Sequence, residues 1–198
     1  MAERRKIPLF PLSTVLYPGG PLPLRLFEAR YIDMVSRCMR DEMPFGVVGI
    51  SEGREVGPSK IHSMGTEAKI TDFYQGSDGL LGVTAIGGDR FRLIAEQTAA
   101  DGLRWGDVET VTAEPAIALP TRFSALAEML DSILDDLGKL YEGHERLLDD
   151  ATWIGYRFSE ILPLTIAQKQ HCLEIEDATE RLDIITAVLS RVPNKTEQ

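Results

Sequence analysis

Apolar and polar residues change their rhythm part-way along this chain. Through the first 120 residues the apolar positions come in short runs between turn residues, as strands require. Residues 7–12 and 21–25 read as strands at a sheet edge, because proline cannot donate to a ladder and both runs carry prolines. They flank a turn at residues 17–20. From Glu28 the spacing switches to threes and fours: Ala29, Ile32, Val35 and Met39, with Tyr31 and Cys38 beside them, predict one helix inside the strand region. Residues 45–50 suit a buried strand, and residues 51–59 form a polar loop. Residues 65–75 and 80–86 then flank a hairpin turn of Gly76, Ser77, Asp78 and Gly79. A further strand pair, 90–96 and 103–111, surrounds Ala100, Asp101 and Gly102, and the pair Gly87 and Gly88 predicts a bend.

The texture changes at EPAIALP, residues 114–120, beyond which the pattern is helical. Leu126, Leu130, Ile133, Leu134, Leu137, Leu140 and Tyr141 form the stripe of a long amphipathic helix. Residues 153–162 offer a second helix, stopped by Pro163. Thr165 with Gln168, and Asp177 with Glu180, have the spacing of capping boxes, so two more helices start there. In the last, Ala178, Leu182, Ile185 and Leu189 face inward, and Pro193 ends the pattern before a frayed tail to Gln198. The expected organisation is a β-rich subdomain over residues 1–120 and a helical subdomain over 121–198, an α+β protein.

Composition narrows the class. The chain has 198 residues, 43% of them hydrophobic, enough to build a core without disulfides. Most of its 17 Gly and 11 Pro lie in the first part. Cys38 and Cys172 are its two cysteines, with no CxxC, which suits a reducing compartment. Against 21 basic residues stand 31 acidic ones, and the net charge of −10 disfavours nucleic acid as a partner. Arg4, Arg5 and Lys6 before an apolar run imitate a signal peptide, but Pro8, Pro11, Pro18, Pro21 and Pro23 would break its helical core. No stretch reaches the roughly 18 apolar residues of a membrane span. The reading is cytoplasmic, with no membrane partner.

Candidate chemistry is sparse. Residues 53–60 lack the spacing of a phosphate-binding loop, and no GxGxxG opens a helix. His62, His144 and His171 are scattered, and on a helix His171 and Cys172 would point about 100° apart, a poor ligand geometry. Both cysteines read as buried structural thiols rather than nucleophiles. Asp135 with Asp136, and Asp149 with Asp150, read as solvated faces rather than acid–base pairs. No catalytic, metal or cofactor-binding residue is assigned. Most aromatics read as core, but Tyr17 and Tyr74 lie beside predicted turns and are the candidate peptide-binding residues.

The order of the pieces carries a resemblance. IPLFPL, then YPGGPLPLRLFEARY leading into a helix, PFGVVGI, GTEAKI and GGDRFRLI follow one another, and the chain closes with FSEILPLTIAQKQHCLEIEDATERLDIITAVLSR. This arrangement resembles the N-terminal substrate-binding domain of the ATP-dependent Lon proteases, including small bacterial proteins consisting of that domain alone, and it covers nearly the whole chain. The resemblance implies a PUA-like pseudo-barrel β unit with one inserted helix, followed by an all-α helical bundle. It implies recognition of polypeptide rather than catalysis, and the expected departure from the protease itself is the lack of an ATPase module and of a Ser-Lys proteolytic module. Gly57, Pro58 and Ser59 are similar to the protease's nucleophile neighbourhood but fall in a loop without the small residues that follow it there, and read as coincidence. Of the matched residues, Glu28 and Arg30 read as pinning the helix, and Phe27 and Tyr31 as filling the space between helix and sheet.

The leading expectation is therefore a non-enzymatic, ATP-independent binding module for unfolded or apolar polypeptide, compatible with a homo-oligomer and needing no cofactor. A groove of the β unit or the cleft beside the first long helix would supply the contact surface, and an edge strand could contribute by adding a peptide to the sheet. Two alternatives stand beside it. A small hydrolase or peptidase would need Ser, Cys or His meeting a base in a cleft. An RNA-binding PUA-like module would need Arg25, Arg90, Arg92 and Arg104 gathered into a basic strip.

Overall fold

The computed structural model describes residues 4–76 and 79–191. Ser77 and Asp78 of the expected hairpin turn, and Pro193 with the tail to Gln198, lie outside the described residues. The described chain is a mixed α+β structure with six strands, β1 (Arg4–Leu12), β2 (Pro21–Leu26), β3 (Phe45–Gly53), β4 (Ser59–Gln75), β5 (Leu81–Thr98) and β6 (Arg104–Thr110). Its five α-helices are α1 (Ala29–Arg40), α2 (Ser124–Leu137), α3 (Ala151–Ile161), α4 (Ile166–Glu174) and α5 (Ala178–Leu189). The described residues of Met1–Ala113 and Leu164–Leu173 form one compact unit, and those of Glu114–Pro163 and Glu174–Gln198 another. Residues 164–173, helical in sequence, thus group with the strands.

In the first unit the strands run β2-β5-β4-β3-β1-β6, and β5 also pairs with β6, so β5, β4, β3, β1 and β6 close a circuit. Strand β1 is not at an edge, contrary to expectation. It pairs with β6 over residues 4–9 and with β3 over residues 9–12, and the two ladders share only Leu9. Pro8 therefore has a partner strand on one side and Pro11 on the other, which leaves each donor-less nitrogen a side with no ladder to complete. Strand β2 is an edge and pairs with β5 alone. Its N–H groups toward β5 must be those of Leu22 and Leu24, so the outer edge lacks donors at Pro21 and Pro23 and is a poor template for an added strand.

The two strands expected on either side of Gly87 and Gly88 are one strand, β5. Up to Ile86 it pairs with β2, and from Phe91 with β6, so the glycines sit where it changes partner. The β4–β5 register shifts there, between Thr66 opposite Arg90 and Ala68 opposite Gly87, which realises the expected bend as a bulge. Gly87 exchanges backbone bonds with the β1–β2 connection: its N–H donates to Gly20 O (2.9 Å), and Gly19 N–H donates to Gly87 O (2.8 Å). A Cβ at Gly87 would stand 2.0 Å from the Tyr17 carbonyl oxygen. No side chain fits.

The alternation of β1 feeds two apolar clusters. Ile7 and Leu9 join Val48, Phe91 and Val108, while Phe10 and Leu12 join Leu26, Tyr31, Met34, Phe45 and others. Within the circuit, Gly46 and Gly65 lie where a Cβ would meet the Phe91 ring at 2.7 and 2.6 Å, so their missing side chains make room for it. Tyr31 stacks on Phe10 with ring centroids 4.0 Å apart. The buried face of α1 is Tyr31, Met34, Val35 and Cys38, rotated from the expected stripe so that Met39 is 47% exposed. Phe27, expected to fill the space beside the helix, is 62% exposed because it precedes α1 and lies beyond the end of β2. Helix α4 begins with a reciprocal capping box: Gln168 N–H donates to Thr165 Oγ1 (3.3 Å) and Thr165 N–H to Gln168 Oε1 (2.9 Å).

In the second unit, α2 stops at Leu137, short of the expected stripe's end, because Gly138 takes φ +54° and a 3-10 turn, Gly138–Leu140, follows. Leu126, Leu130 and Leu134 of α2, Ile154 and Phe158 of α3, and Leu182 and Ile185 of α5 are buried. Asp150 and Asp177 cap α3 and α5 through their side chains. Arg181 is fully buried and donates to both oxygens of the Glu114 carboxylate (2.7 and 3.0 Å), to which Tyr156 Oη also donates.

The expected outcome of Gly87→Ala is a loss of about 2 kcal/mol or more in urea unfolding, since the intruding methyl meets backbone that cannot move alone. Gly88→Ala, where a Cβ finds ordinary contacts at 3.6 Å, stays within about 1 kcal/mol of the parent. Equal effects would contradict the close-approach account.

Candidate functional site

The first unit carries a groove of about 670 Å3. One wall is the end of α1 and the residues after it, Cys38, Met39, Glu42, Met43 and Pro44; the other is Glu67, Lys69 and Ile70 of β4 with Gly88 and Asp89 of β5. Met39, Met43, Pro44 and Ile70 supply accessible apolar surface, since Met39 is exposed and the other three are half-buried. At the opposite end Arg5 pairs with Glu67, whose carboxylate is nearly buried. Thioether side chains are flexible and polarisable, so such a floor can adapt to different apolar side chains.

The two candidate tyrosines part company. Tyr17 is fully buried, which corrects the exposure expected of it: its hydroxyl donates to the Lys169 carbonyl of α4 (2.7 Å), and the turn beside it folds inward onto β5. Tyr74 is 40% exposed beside Phe73 at 45%, and with Gln75, Gly79 and Leu81 they line a shallow hollow of about 360 Å3. Tyr74 faces Gly82 across the β4–β5 ladder, and its ring covers the glycine so closely that a Cβ there would meet it at 2.2 Å. The ring thus packs against the ladder on one side and offers accessible surface elsewhere.

Several groups on which the two alternatives would call are engaged in other ways. Cys38 is buried, and burial, opposed by Arg37 and aided by Asp41, pushes its thiol up to about 11, so it is protonated near neutral pH and is no nucleophile. Among the described residues no three His, Cys, Asp or Glu side chains come together as a metal site. Arg90 is buried, with Nη1 donating to the Leu173 carbonyl (2.8 Å) near the C-terminus of α4, where a cation suits the helix dipole. Arg104 donates to the Ser59 carbonyl (2.6 Å) and lies 3.6 Å from Glu96. Both arginines are committed internally, which removes the basic strip. Asp135, paired with Arg146 (2.8 Å), Asp136 and Asp149 are exposed, as a solvated face requires, whereas Asp150 accepts from Ile117 N–H and Thr152 N–H.

The family described as the ATP-dependent protease La (LON) substrate-binding domain matches residues 6–191. The chain belongs to that family. It is similar to a Lon N-terminal domain protein from Xanthomonas campestris, whose crystal structure is 35% identical, covers 92% of this chain and 98% of that one, and superposes with a TM-score of 0.76. The N-terminal domain of Mycobacterium avium complex Lon protease shares the fold at 23% identity and a TM-score of 0.64, covering 95% and 100% of the two chains. Lon protease 2 of Myxococcus xanthus is 25% identical over 93% of this chain and 23% of its own length. Protein cereblon of Gallus gallus is 32% identical over 61% of this chain and 26% of its own. The chain spans about a quarter of the length of these curated relatives. Among the described residues no helix of this Lon-family chain is long and apolar enough to cross a membrane.

Sequence reasoning missed the groove because it placed Met39 in the buried stripe; the doublet of Met39 and Met43 bracketing the end of α1 was the available signal. Two outcomes follow from the burial found here. Tyr17→Phe removes a buried donor and is expected to cost about 1 kcal/mol in unfolding free energy, with unchanged far-UV circular dichroism. Because the folded Cys38 pKa lies above the ordinary 9.0, its neutral thiol favours the fold below that value, and this contribution is lost as pH rises from 9.0 toward about 11. Wild type should therefore lose more stability than Cys38→Ala over that window in parallel urea titrations. Parallel losses would contradict the assignment.

Proposed function

We propose that this chain is a non-catalytic, ATP-independent module that holds exposed apolar segments of unfolded polypeptides in the cytoplasm. In this reading the closed strand circuit is a PUA-like pseudo-barrel, and the second unit is a helical bundle that accompanies it. The observation that carries the proposal is the methionine-floored groove at the end of α1, where Met39 is held exposed beside Met43, Pro44 and Ile70. Membership of the Lon substrate-binding-domain family supports polypeptide as the ligand class. Phe73 and Tyr74 add a second apolar contact at the β4–β5 hairpin. The outer edge of β2 is excluded as the main contact because two of its donors are proline nitrogens.

The test is suppression of light scattering from a chemically unfolded model protein, with saturable binding of its immobilised peptides, in the absence of nucleotide. Wild type should do both. Met39→Asp places a charge in the groove and should weaken peptide binding roughly fivefold or more, with Tyr74→Ser giving a smaller loss. Failure of folded wild type in both assays, or full activity of both variants, would overturn the proposal.

A further inference from the structure

A second groove lies wholly within the unit that contains α2 and α3 and differs in character from the one at α1. It encloses about 700 Å3 between the extended segment 116–119, the first turns of α2 and residues 147–150. The extended segment is fixed by its backbone: Leu119 N–H donates to Asp149 O (2.8 Å), and Ala151 N–H to Ile117 O (2.7 Å). Asp150 completes the wall, since its Oδ1 takes the N–H groups of both Ile117 and Thr152. Ile117, Leu119, Ala127, Leu147 and Leu148 give the groove an apolar lining.

Its charges have one sign. Glu128, Asp149 and Asp150 are its only ionisable lining residues. Asp150 is engaged as a cap, but Glu128 and Asp149 are exposed, and among the described residues neither forms an ion pair. The α1 groove, by contrast, sets Arg5 and Lys69 among its acids. An apolar trough with an anionic rim complements a ligand that is apolar and cationic together, and repels one whose flanking charges are negative.

We propose that this groove is a second peptide-binding site, selective for short segments in which aliphatic side chains are flanked by lysine or arginine. The aliphatic groups occupy the lining of Ile117, Leu119, Leu147 and Leu148, and the cations meet Glu128 and Asp149. The site is independent of the α1 groove. Its ligand class, basic and aliphatic, goes beyond the general apolar recognition proposed above, and the two readings fail separately.

The experiment is fluorescence anisotropy with two labelled peptides of identical leucine and isoleucine content, one flanked by lysines and one by glutamates. The full chain should bind the lysine peptide more tightly, with an affinity that falls as salt rises. The double variant Glu128→Lys with Asp149→Lys should lose about tenfold in affinity for that peptide while keeping its melting temperature. Ala127→Leu, which fills the trough without altering charge, should also weaken it. Met39→Asp should leave lysine-peptide binding intact even where it abolishes capture of unfolded protein. Equal affinity for the two peptides, no binding of either, or a charge-reversed variant as good as wild type would overturn the inference. So would loss of lysine-peptide binding in Met39→Asp alone, which would move the ligand to the α1 groove.

Discussion

Strand β5 must change its hydrogen-bonding partner from β2 to β6 half-way along its length without breaking, and the arrangement of the first unit depends on how it does so. Between Ile86 and Phe91 neither neighbour is in register, and the gap is filled by other backbone. The β1–β2 connection bonds to Gly87 in both directions, and Val111 N–H donates to Arg90 O (2.8 Å). The Tyr17 carbonyl can come this close only because position 87 has no side chain. Thr66 fixes the same connection from β4 by donating its buried hydroxyl to Leu16 O (2.6 Å). A side chain at 87 would therefore disturb both the strand circuit and the buried position of Tyr17.

The same region receives α4. Tyr17, Arg90 and Gln170 are all buried, and each makes a bond between this helix and the strand region: Tyr17 Oη to Lys169 O, Arg90 Nη1 to Leu173 O, and Gln170 Nε2 to Met64 O (3.0 Å). Three polar side chains in a dry interior would be costly without partners, and backbone carbonyls of fixed position supply them. This explains why residues 164–173 group with the strands although their sequence is helical. In the second unit Arg181 has the corresponding task, joining Glu114, before α2, to Ile175, before α5 (2.5 Å). Removing one partner would strand a buried charge, so the pair specifies an arrangement more than it adds stability.

Local chemistry made much of the fold legible. Period three-and-four spacing marked α1, proline marked β2 as an edge, and Thr165 with Gln168 marked the start of α4 in the form the structure adopts. The family was legible from the order of segments that are individually loose. What failed were inferences from sequence neighbours to burial. Tyr17 and Phe27 both flank turns or strand ends, yet one is sealed and the other open, because α4 and β5 close over Tyr17 while the chain leaves β2 at Phe27. Arg90 and Arg92 alternate as expected of one strand face, but only Arg90 lies beneath a helix terminus, so a basic strip could not be read from their spacing. Met39 had the right period to be buried and was displaced because Tyr31, Met34, Val35 and Cys38 occupy that face.

These observations join into one account of function. A closed strand circuit, in which glycines make room for Phe91, packs against α1 through Tyr31, Met34, Val35 and Cys38 and leaves Met39 of its last turn exposed. That surplus apolar surface, bounded by charged residues, suits the proposed polypeptide-holding role, while the Cys38 thiol and Arg90 are buried. The most direct measurement is hydrogen exchange by mass spectrometry on the full chain, with and without a saturating unfolded polypeptide that carries no net positive charge. Slowed exchange concentrated at residues 38–44 and 67–70 is the expected result. Binding that slows exchange elsewhere and leaves those segments unchanged would contradict the account.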